Sequence, residues 1–268
     1  MKYVVVGLII MSGLIFLLLQ KQEAAGTTRL PCGVPATQVN PLHRDTLHKM
    51  QVPTRHSTKT ESVPLTIDAL HRWPTGKVTV YFMDIYDYEL ITKALNTANE
   101  WSAYGNIKFI LTTNKATSDI RVAFRAGNGY LSAVGTHATE AAYVNHTTMW
   151  LQNLDKQPKD EFKRVVLHEF GHSIGLLHEI QSPAAASIKW KVPEVNAHFK
   201  KLYGWEPDKV YTNVLQIVPT NAYTKFDPLS IMVYAIPKEL TTNLTADIEW
   251  PTALSKIDKE TIVTYYPF

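Results

Sequence analysis

The chain has 268 residues, 45% of them hydrophobic, and a formal net charge of +3. That length and composition suffice for one globular domain of ordinary to large size with short extensions. The net charge is small and the Lys and Arg residues are scattered, so the basic footprint of a nucleic-acid-binding protein is missing and we expect no nucleic-acid partner. The single cysteine, Cys32, excludes an intrachain disulfide, and it leaves the ligation of any metal ion to histidines and carboxylates.

The N-terminal residues carry an export pattern. An apolar run from Tyr3 to Leu19 follows Lys2 and is itself followed by polar residues. We therefore predict a signal peptide or an N-terminal anchor over residues 1–26, and an exported, extracellular or periplasmic protein. Small residues at 24–26 suit cleavage. The run is also close to the lower limit of roughly 17 to 25 apolar residues for a membrane helix, so a membrane tether through residues 3–19 remains the alternative.

Residues 27–64 are rich in Thr, His, Pro and charge without apolar periodicity, which indicates a pro-segment or linker. The compact domain is predicted at 65–268 and opens in the order strand, helix, strand, strand. The apolar patterns place these elements at 77–83, 89–101, 107–111 and 120–124. In the last of these strands, Arg121 alternates with apolar neighbours.

The middle of the domain contains an irregular stretch with several glycines, and regular secondary structure is predicted after it. A strand is predicted at 148–151, and a helix runs from about Pro158 to about Ile174, where Gly175 is well placed to end it. The chain beyond Gly175 is predicted to be mostly loop. A last helix extends from Ser255 to about Tyr265, and its start carries a capping box of Ser255 and Asp258.

The stretch HEFGHSIGLLHE, from His168 to Glu179, carries the chemistry. Residues four apart lie on the same face of a helix, so His168 and His172 can share one metal ion. Gly175 permits a sharp turn with positive φ, after which His178 can return as the third ligand. Three neutral imidazoles leave one position of Zn²⁺ open, and an open position is typical of a catalytic site.

Glu169 lies beside these ligands but not in line with them, where it can reach a water molecule. We predict that it is the general base of a zinc-dependent endopeptidase with one catalytic zinc ion, which hydrolyses peptide bonds without a covalent intermediate. The alternative is a catalytically inactive, zinc-stabilised extracellular binding domain. Such a domain has no use for Glu169, and the presence of this residue favours the enzyme.

These residues resemble a known family. The pattern HExxHxxGxxH is the zinc signature of the metzincin peptidases, and Glu179 directly after the third His is similar to the astacin-like branch. The segment DPLSIMVY at 227–234 resembles the Met-turn of that group. Over about Leu70 to Phe268 the chain looks like the bacterial secreted astacin-like proteases.

The resemblance implies an α+β metzincin (zincin) fold. It has a mixed twisted sheet with two long helices in an upper half, an active-site cleft, and an irregular lower half with a C-terminal helix. Met232 would lie beneath the zinc, and Tyr234 would stabilise the oxyanion. An extended protein or peptide substrate would pair with an edge strand at 148–151. True astacins carry disulfides, which this chain cannot form.

The segment PCGVP at 31–35 resembles part of the cysteine switch of matrix metalloproteinase pro-segments, where a thiolate occupies the open zinc position. The flanking Arg and Asp of that motif are absent. Two interpretations therefore stay open: Cys32 keeps the enzyme latent, or its thiol is incidental. His137 and His146 have no spacing typical of a second metal site. The natural substrate, the cleavage preference, the oligomeric state and any calcium dependence cannot be derived from the sequence.

Overall fold

A computed structural model describes residues 32–33, 67–74, 76–125, 129–218 and 225–268. The predicted leader at 1–26, its alternative as a tether, and nearly all of the predicted pro-segment lie outside these residues. Within the described ranges, no helix has both the length and the apolar character needed to cross a bilayer.

Among the residues that the structure describes, six strands form one mixed sheet in the order β1-β5-β6-β4-β2-β3. Strand β5 runs antiparallel to β6, and the other pairs are parallel. The bounds are β1 Cys32–Gly33, β2 Gly76–Phe82, β3 Ile107–Leu111, β4 Ile120–Ala123, β5 Tyr130–Ser132 and β6 Met149–Leu151.

The prediction that the strand at 148–151 lies at the sheet edge is wrong. β6 lies between β4 and β5, so both of its sides are already paired. The strand on its outer side is β5, whose three residues are too few to show a period of two in the sequence. Cys32 and Gly33 pair in turn with Tyr130 and Leu131 on the far side of β5.

Strand β4 is buried on both faces, although Arg121 alternates with apolar residues. Strands of a parallel arrangement are covered on both sides by other elements, so alternation does not imply exposure there. Arg121 is only 4% exposed. Its guanidinium donates hydrogen bonds of 2.6 Å to the carbonyls of Ser118, Ala138 and His146, and thereby ties the segment 137–146 to the sheet.

Helices α1 at Tyr88–Ala98 and α2 at Lys159–Ser173 pack against the sheet and against each other. The Asp87 side chain caps α1 by accepting from the N–H groups of Glu89 and Leu90. Beyond α1, the fully buried Trp101 donates from Nε1 to Leu167 O of α2 at 3.0 Å. This bond joins the end of the α1 region to the middle of the helix that carries the histidines.

The stretch beyond Gly175 is less irregular than predicted, because it contains helices α3 at Val192–Tyr203 and α4 at Pro207–Val210. The signals for α3 were present: Pro193 lies in its first turn, and Gly204 ends it with a φ of 67°. Its buried residues, Val195 and Phe199, join an apolar core that includes the chain around Tyr234. The final helix, α5 at Lys256–Tyr265, starts at the predicted capping box.

Candidate active site

Helix α2 and the turn that follows it bring three histidines together. His168 and His172 lie one turn apart on α2, with ring centroids separated by 4.8 Å. Gly175 then adopts a φ of 99°, as its predicted role requires, and the chain returns through a turn to His178. The ring centroids of His172 and His178 are 4.6 Å apart.

The ligand nitrogens of these three rings converge on one point. His172 Nε2 and His178 Nε2 are 3.1 Å apart, and one nitrogen from each of the three rings lies within 4.8 Å of the others. His168 Nε2 makes no hydrogen bond to any described residue. A buried polar nitrogen is normally paired, so these atoms need a shared partner such as a metal ion.

The opposite nitrogen of each ring faces an oxygen that can only accept a hydrogen bond. The pairs are His168 Nδ1 with Ile231 O (2.7 Å), His172 Nδ1 with Leu176 O (2.8 Å) and His178 Nδ1 with Gln181 Oε1 (3.1 Å). Each Nδ1 therefore carries the proton and each Nε2 keeps its lone pair for the common centre, which is the arrangement of metal-ligating histidines. No sequence signal pointed to Gln181.

Burial keeps these imidazoles neutral. None of the three is more than 1% exposed. Burial lowers the pKa of His172 to about 4, and it lowers the pKa of His168 and His178 well below the usual value. Because the neutral imidazole is the form that binds a metal, the set fits a zinc ion with three nitrogen ligands.

Glu169 follows the first histidine on α2 and is 1% exposed. Helix α2, which carries Glu169, packs against strand β5. Burial, followed by the negative charges of Glu161 and Glu169, raises the pKa of Tyr130 to about 12.

The segment 227–234 lies against the histidines. Met232 is fully buried, and the ring centroid of Tyr234 is 4.5 Å from that of His178 and 6.2 Å from that of His168. Tyr234 also borders a cavity of about 180 Å³. The other residues lining this cavity are His198, Phe199, Leu202, Tyr203, Ala235, Pro237 and Trp250.

Asp258 of α5 holds this segment in place. Besides closing the capping box with Ser255, it accepts hydrogen bonds from Ser230 Oγ at 2.7 Å and from the Ile231 N–H at 2.9 Å. Ile231 O is the acceptor for His168 Nδ1. Asp258, which the sequence predicts only as part of a capping box, thus also supports His168 through the backbone of one residue, Ile231.

Glu179 has an orienting position. Its Oε1 accepts the Asp227 N–H at 2.8 Å, and its own N–H donates to Met232 O at 3.0 Å. Burial raises the pKa of this carboxyl to about 8. Glu179 thereby connects the third histidine to the start and to the middle of the segment 227–234.

Comparison with known proteins identifies the family. The family model described as Astacin, a peptidase family, matches residues 65–266. The chain belongs to the astacin family. As an astacin it is a zinc metalloendopeptidase with the metzincin fold, and its substrates are proteins or peptides.

Solved structures agree with this assignment. A structure of myroilysin is 34% identical, covers 75% of this chain and 98% of that chain, and has a TM-score of 0.68. A crystal structure of myroilysin is 33% identical, with coverages of 78% and 93% and a TM-score of 0.56. High choriolytic enzyme 1, a hatching enzyme zinc-protease from the medaka Oryzias latipes, shares the fold at 14% identity, with coverages of 76% and 98% and a TM-score of 0.50. A comparison with curated proteins gave no match.

Proposed function

We propose that this astacin cleaves peptide bonds with one catalytic zinc ion held by His168, His172 and His178. The observation that carries the proposal is the convergence of three Nε2 atoms, with every Nδ1 held by an oxygen acceptor. Zinc held by these residues would acidify a water molecule and polarise the peptide carbonyl.

Glu169 is the proposed general base. It follows a ligand directly on α2 and is buried, so bulk water does not screen its carboxylate. It would take a proton from the attacking water and deliver it to the departing amine nitrogen. This assignment requires Glu169 to be ionised before attack and protonated immediately after it.

Tyr234 is the proposed oxyanion donor. Its ring lies beside His178 in a buried setting, where a hydroxyl hydrogen bond to developing negative charge is worth more than in water. The donor is needed only when the carbonyl becomes tetrahedral. Tyr234 should therefore act on turnover more than on substrate binding.

The substrate is proposed to lie extended along the outer side of β5, at Tyr130–Ser132, by β-strand addition. The outer side of β5 is able to pair with another strand, because Cys32 and Gly33 pair with it in this structure. The cavity beside Tyr234 is lined by Phe199, Tyr203 and Trp250, so we propose that it receives an apolar substrate side chain.

Export of the enzyme is a proposal that rests on the apolar run from Tyr3 to Leu19. Sequencing the amino terminus of the protein recovered outside the cytoplasm would distinguish a cleaved leader from a retained tether. A mature start after residue 26 supports the leader. Recovery only with the membrane fraction, with residues 3–19 intact, supports the tether.

The central experiment compares casein hydrolysis by the purified chain and by Glu169→Gln. We expect Glu169→Gln to lose activity by at least about 10²-fold, the usual worth of a general base, with its zinc content unchanged. Glu194→Gln, which alters an exposed carboxylate on α3, is the matched control and should retain activity. Zinc chelation should abolish hydrolysis by the wild type, and added Zn²⁺ should restore it.

Two results would contradict the proposal. Hydrolysis that survives Glu169→Gln would remove this residue from the mechanism. A wild-type protein that binds zinc but cleaves nothing after removal of residues 1–64 would support the alternative of a zinc-stabilised binding domain.

A further inference from the structure

A second group of metal-binding side chains lies outside the catalytic site. Asp68 and His71 belong to the stretch that enters the domain, and His137 belongs to the 3-10 turn Gly135–Thr139. One ligand atom from each of the three lies within 4.8 Å of the others, as in the catalytic cluster. Nothing in the proposed peptidase mechanism uses these residues.

Both histidines of this group face the same carboxylate oxygen. His71 Nδ1 is 2.7 Å from Asp68 Oδ2, and His137 Nε2 is 3.5 Å from it. The two imidazole rings stack, with centroids 3.6 Å apart and planes 26° apart. Two ring nitrogens and one oxygen are thus gathered on one side of the stacked pair.

Glu140 fixes the orientation of His137, because its carboxylate pairs with His137 Nδ1. That contact fixes the ring with Nε2 facing Asp68 Oδ2, 3.5 Å away, so an ion bound there would take the place of the Nε2 proton. A carboxylate behind a histidine is a recurrent arrangement at metal sites, where it sets the ring position and raises the basicity of the ligand nitrogen.

Asp68 remains a carboxylate in this setting. Its burial alone would raise the pKa, but hydrogen bonds from His137 and His71 outweigh burial and lower the pKa to about 2. The side chains of Asp68, His71 and His137 are 26%, 23% and 13% exposed, so an ion can enter from solvent.

We propose that Asp68, His71 and His137 form a second metal site that binds a divalent transition-metal ion, with Zn²⁺ as the leading candidate. Two nitrogens and one oxygen suit zinc and its neighbours in the transition series, whereas Ca²⁺ and Mg²⁺ prefer oxygen ligands alone. The spacing of His137 and His146 in the sequence predicts no metal site. The structure instead brings His137 to His71, which no local pattern connects.

The backbone around this site is already fixed. The Thr136 N–H donates to His71 O at 2.7 Å. Gly135 has a φ of 51°, and a Cβ there would lie 1.9 Å from His71 O, so only glycine permits the approach of the two segments. An ion would therefore bind a preformed pair of segments at little ordering cost.

The site would fasten the entry segment to the turn Gly135–Thr139, and the backbone of the entry segment contacts the turn that returns His178. The Asp68 N–H donates to Gly175 O at 2.9 Å, and Ile67 forms an isolated bridge with Leu176. Leu176 O is in turn the acceptor for His172 Nδ1. The second ion is thus assigned a structural role. It would stabilise the entry segment that packs against Gly175 and Leu176, and it takes no part in peptide hydrolysis.

The test counts zinc in a Glu169→Gln background, which removes self-digestion without changing a ligand. After dialysis against zinc-free buffer, we expect two zinc ions per chain in the parent, one with the added substitution His137→Gln, and two with His146→Gln as the matched control. Thermal unfolding is the second measurement. Added Zn²⁺ should raise the Tm of zinc-depleted parent more than that of the His137→Gln variant, and added Ca²⁺ should not separate the two.

Glu140→Gln keeps the test decisive if His137→Gln folds poorly, because Glu140 is exposed and is not a ligand. Loss of this supporting carboxylate should weaken the second zinc equivalent about 10- to 100-fold while leaving the first unchanged. One zinc per chain in the parent, or equal zinc content and equal zinc-dependent Tm in parent and variants, would overturn the second site. Neither result depends on casein hydrolysis. The second metal site can therefore be refuted while the proposed peptidase function stands, and the reverse also holds.

Discussion

Met232 occupies the space into which a side chain at position 171 would project. A Cβ added to Gly171 would lie 2.5 Å from Met232 Sδ and 3.2 Å from a ring carbon of Trp101. Helix α2 therefore approaches the segment 227–234 closely only because this position is glycine. The zinc signature leaves the same position unspecified, so the requirement comes from packing and not from metal ligation.

The substitution Gly171→Ala should destabilise the protein. Overpacking costs typically about 1–3 kcal/mol, whereas alanine gains about 1 kcal/mol over glycine in a helix, so we expect a net loss of up to about 2 kcal/mol. Urea unfolding in the Glu169→Gln background measures it. When Met232→Ala removes the obstructing sulfur, Gly171→Ala should become neutral or stabilising. If the effects of the two substitutions on the free energy of unfolding are additive, the contact between position 171 and Met232 is not the cause of the destabilisation.

The substitution Tyr234→Phe should lower kcat by about 10²–10³-fold, the usual cost of removing one oxyanion donor, with little change in KM. The ring remains beside His178, so zinc content should not change. Steady-state kinetics on a fluorogenic peptide measure both constants. Tyr211→Phe, which removes a hydroxyl from a residue 51% exposed, is the control. A Tyr234→Phe enzyme with normal kcat would assign this tyrosine to packing alone.

Asp258 should make stability depend on pH in a defined window. Burial raises its pKa from 3.8 to about 6, even though hydrogen bonds from Ile231, Ser255 and Ser230 act in the opposite direction. At a pH between 3.8 and about 6, Asp258 keeps its proton in the folded state, whereas the same carboxyl has lost its proton in the unfolded chain. The free energy of unfolding contributed by this group therefore falls as pH rises from about 4 to 6.

The measurement is the slope of unfolding free energy against pH in wild type and in Asp258→Asn, which cannot titrate. The wild type should show the additional downward slope, at most about 1.4 kcal/mol per pH unit for one proton. Other acidic groups, and the loss of zinc in acid, contribute to both proteins and cancel in the comparison. Parallel curves through this window would refute the assignment to Asp258.

The unprocessed chain should be less active than the domain that begins after residue 64, because Cys32–Gly33 pairs with Tyr130 and Leu131 on the strand proposed to bind substrate. Latency through the thiol adds a second requirement: Cys32→Ala should raise the initial rate of the unprocessed chain. Thr28→Ala serves as the control. If Cys32→Ala leaves that rate unchanged, the thiol is incidental, and any latency comes from backbone pairing.

The sequence alone was enough to identify the local features of the site. The motif from His168 to Glu179 specifies its own geometry, since helical periodicity aligns the first two histidines and Gly175 supplies the turn before the third. The capping box of Ser255 and Asp258 is local in the same way. These features depend on residues within about ten positions of one another, where backbone geometry decides which side chains meet.

The tertiary structure decided what depends on residues distant in sequence. It placed the three-residue strand β5 outside β6, buried Arg121 among three carbonyls, and directed Gln181 at His178. It also brought His71 to His137. No period or spacing encodes such contacts, because each depends on how separate elements pack, and packing is set by the shapes of both partners at once.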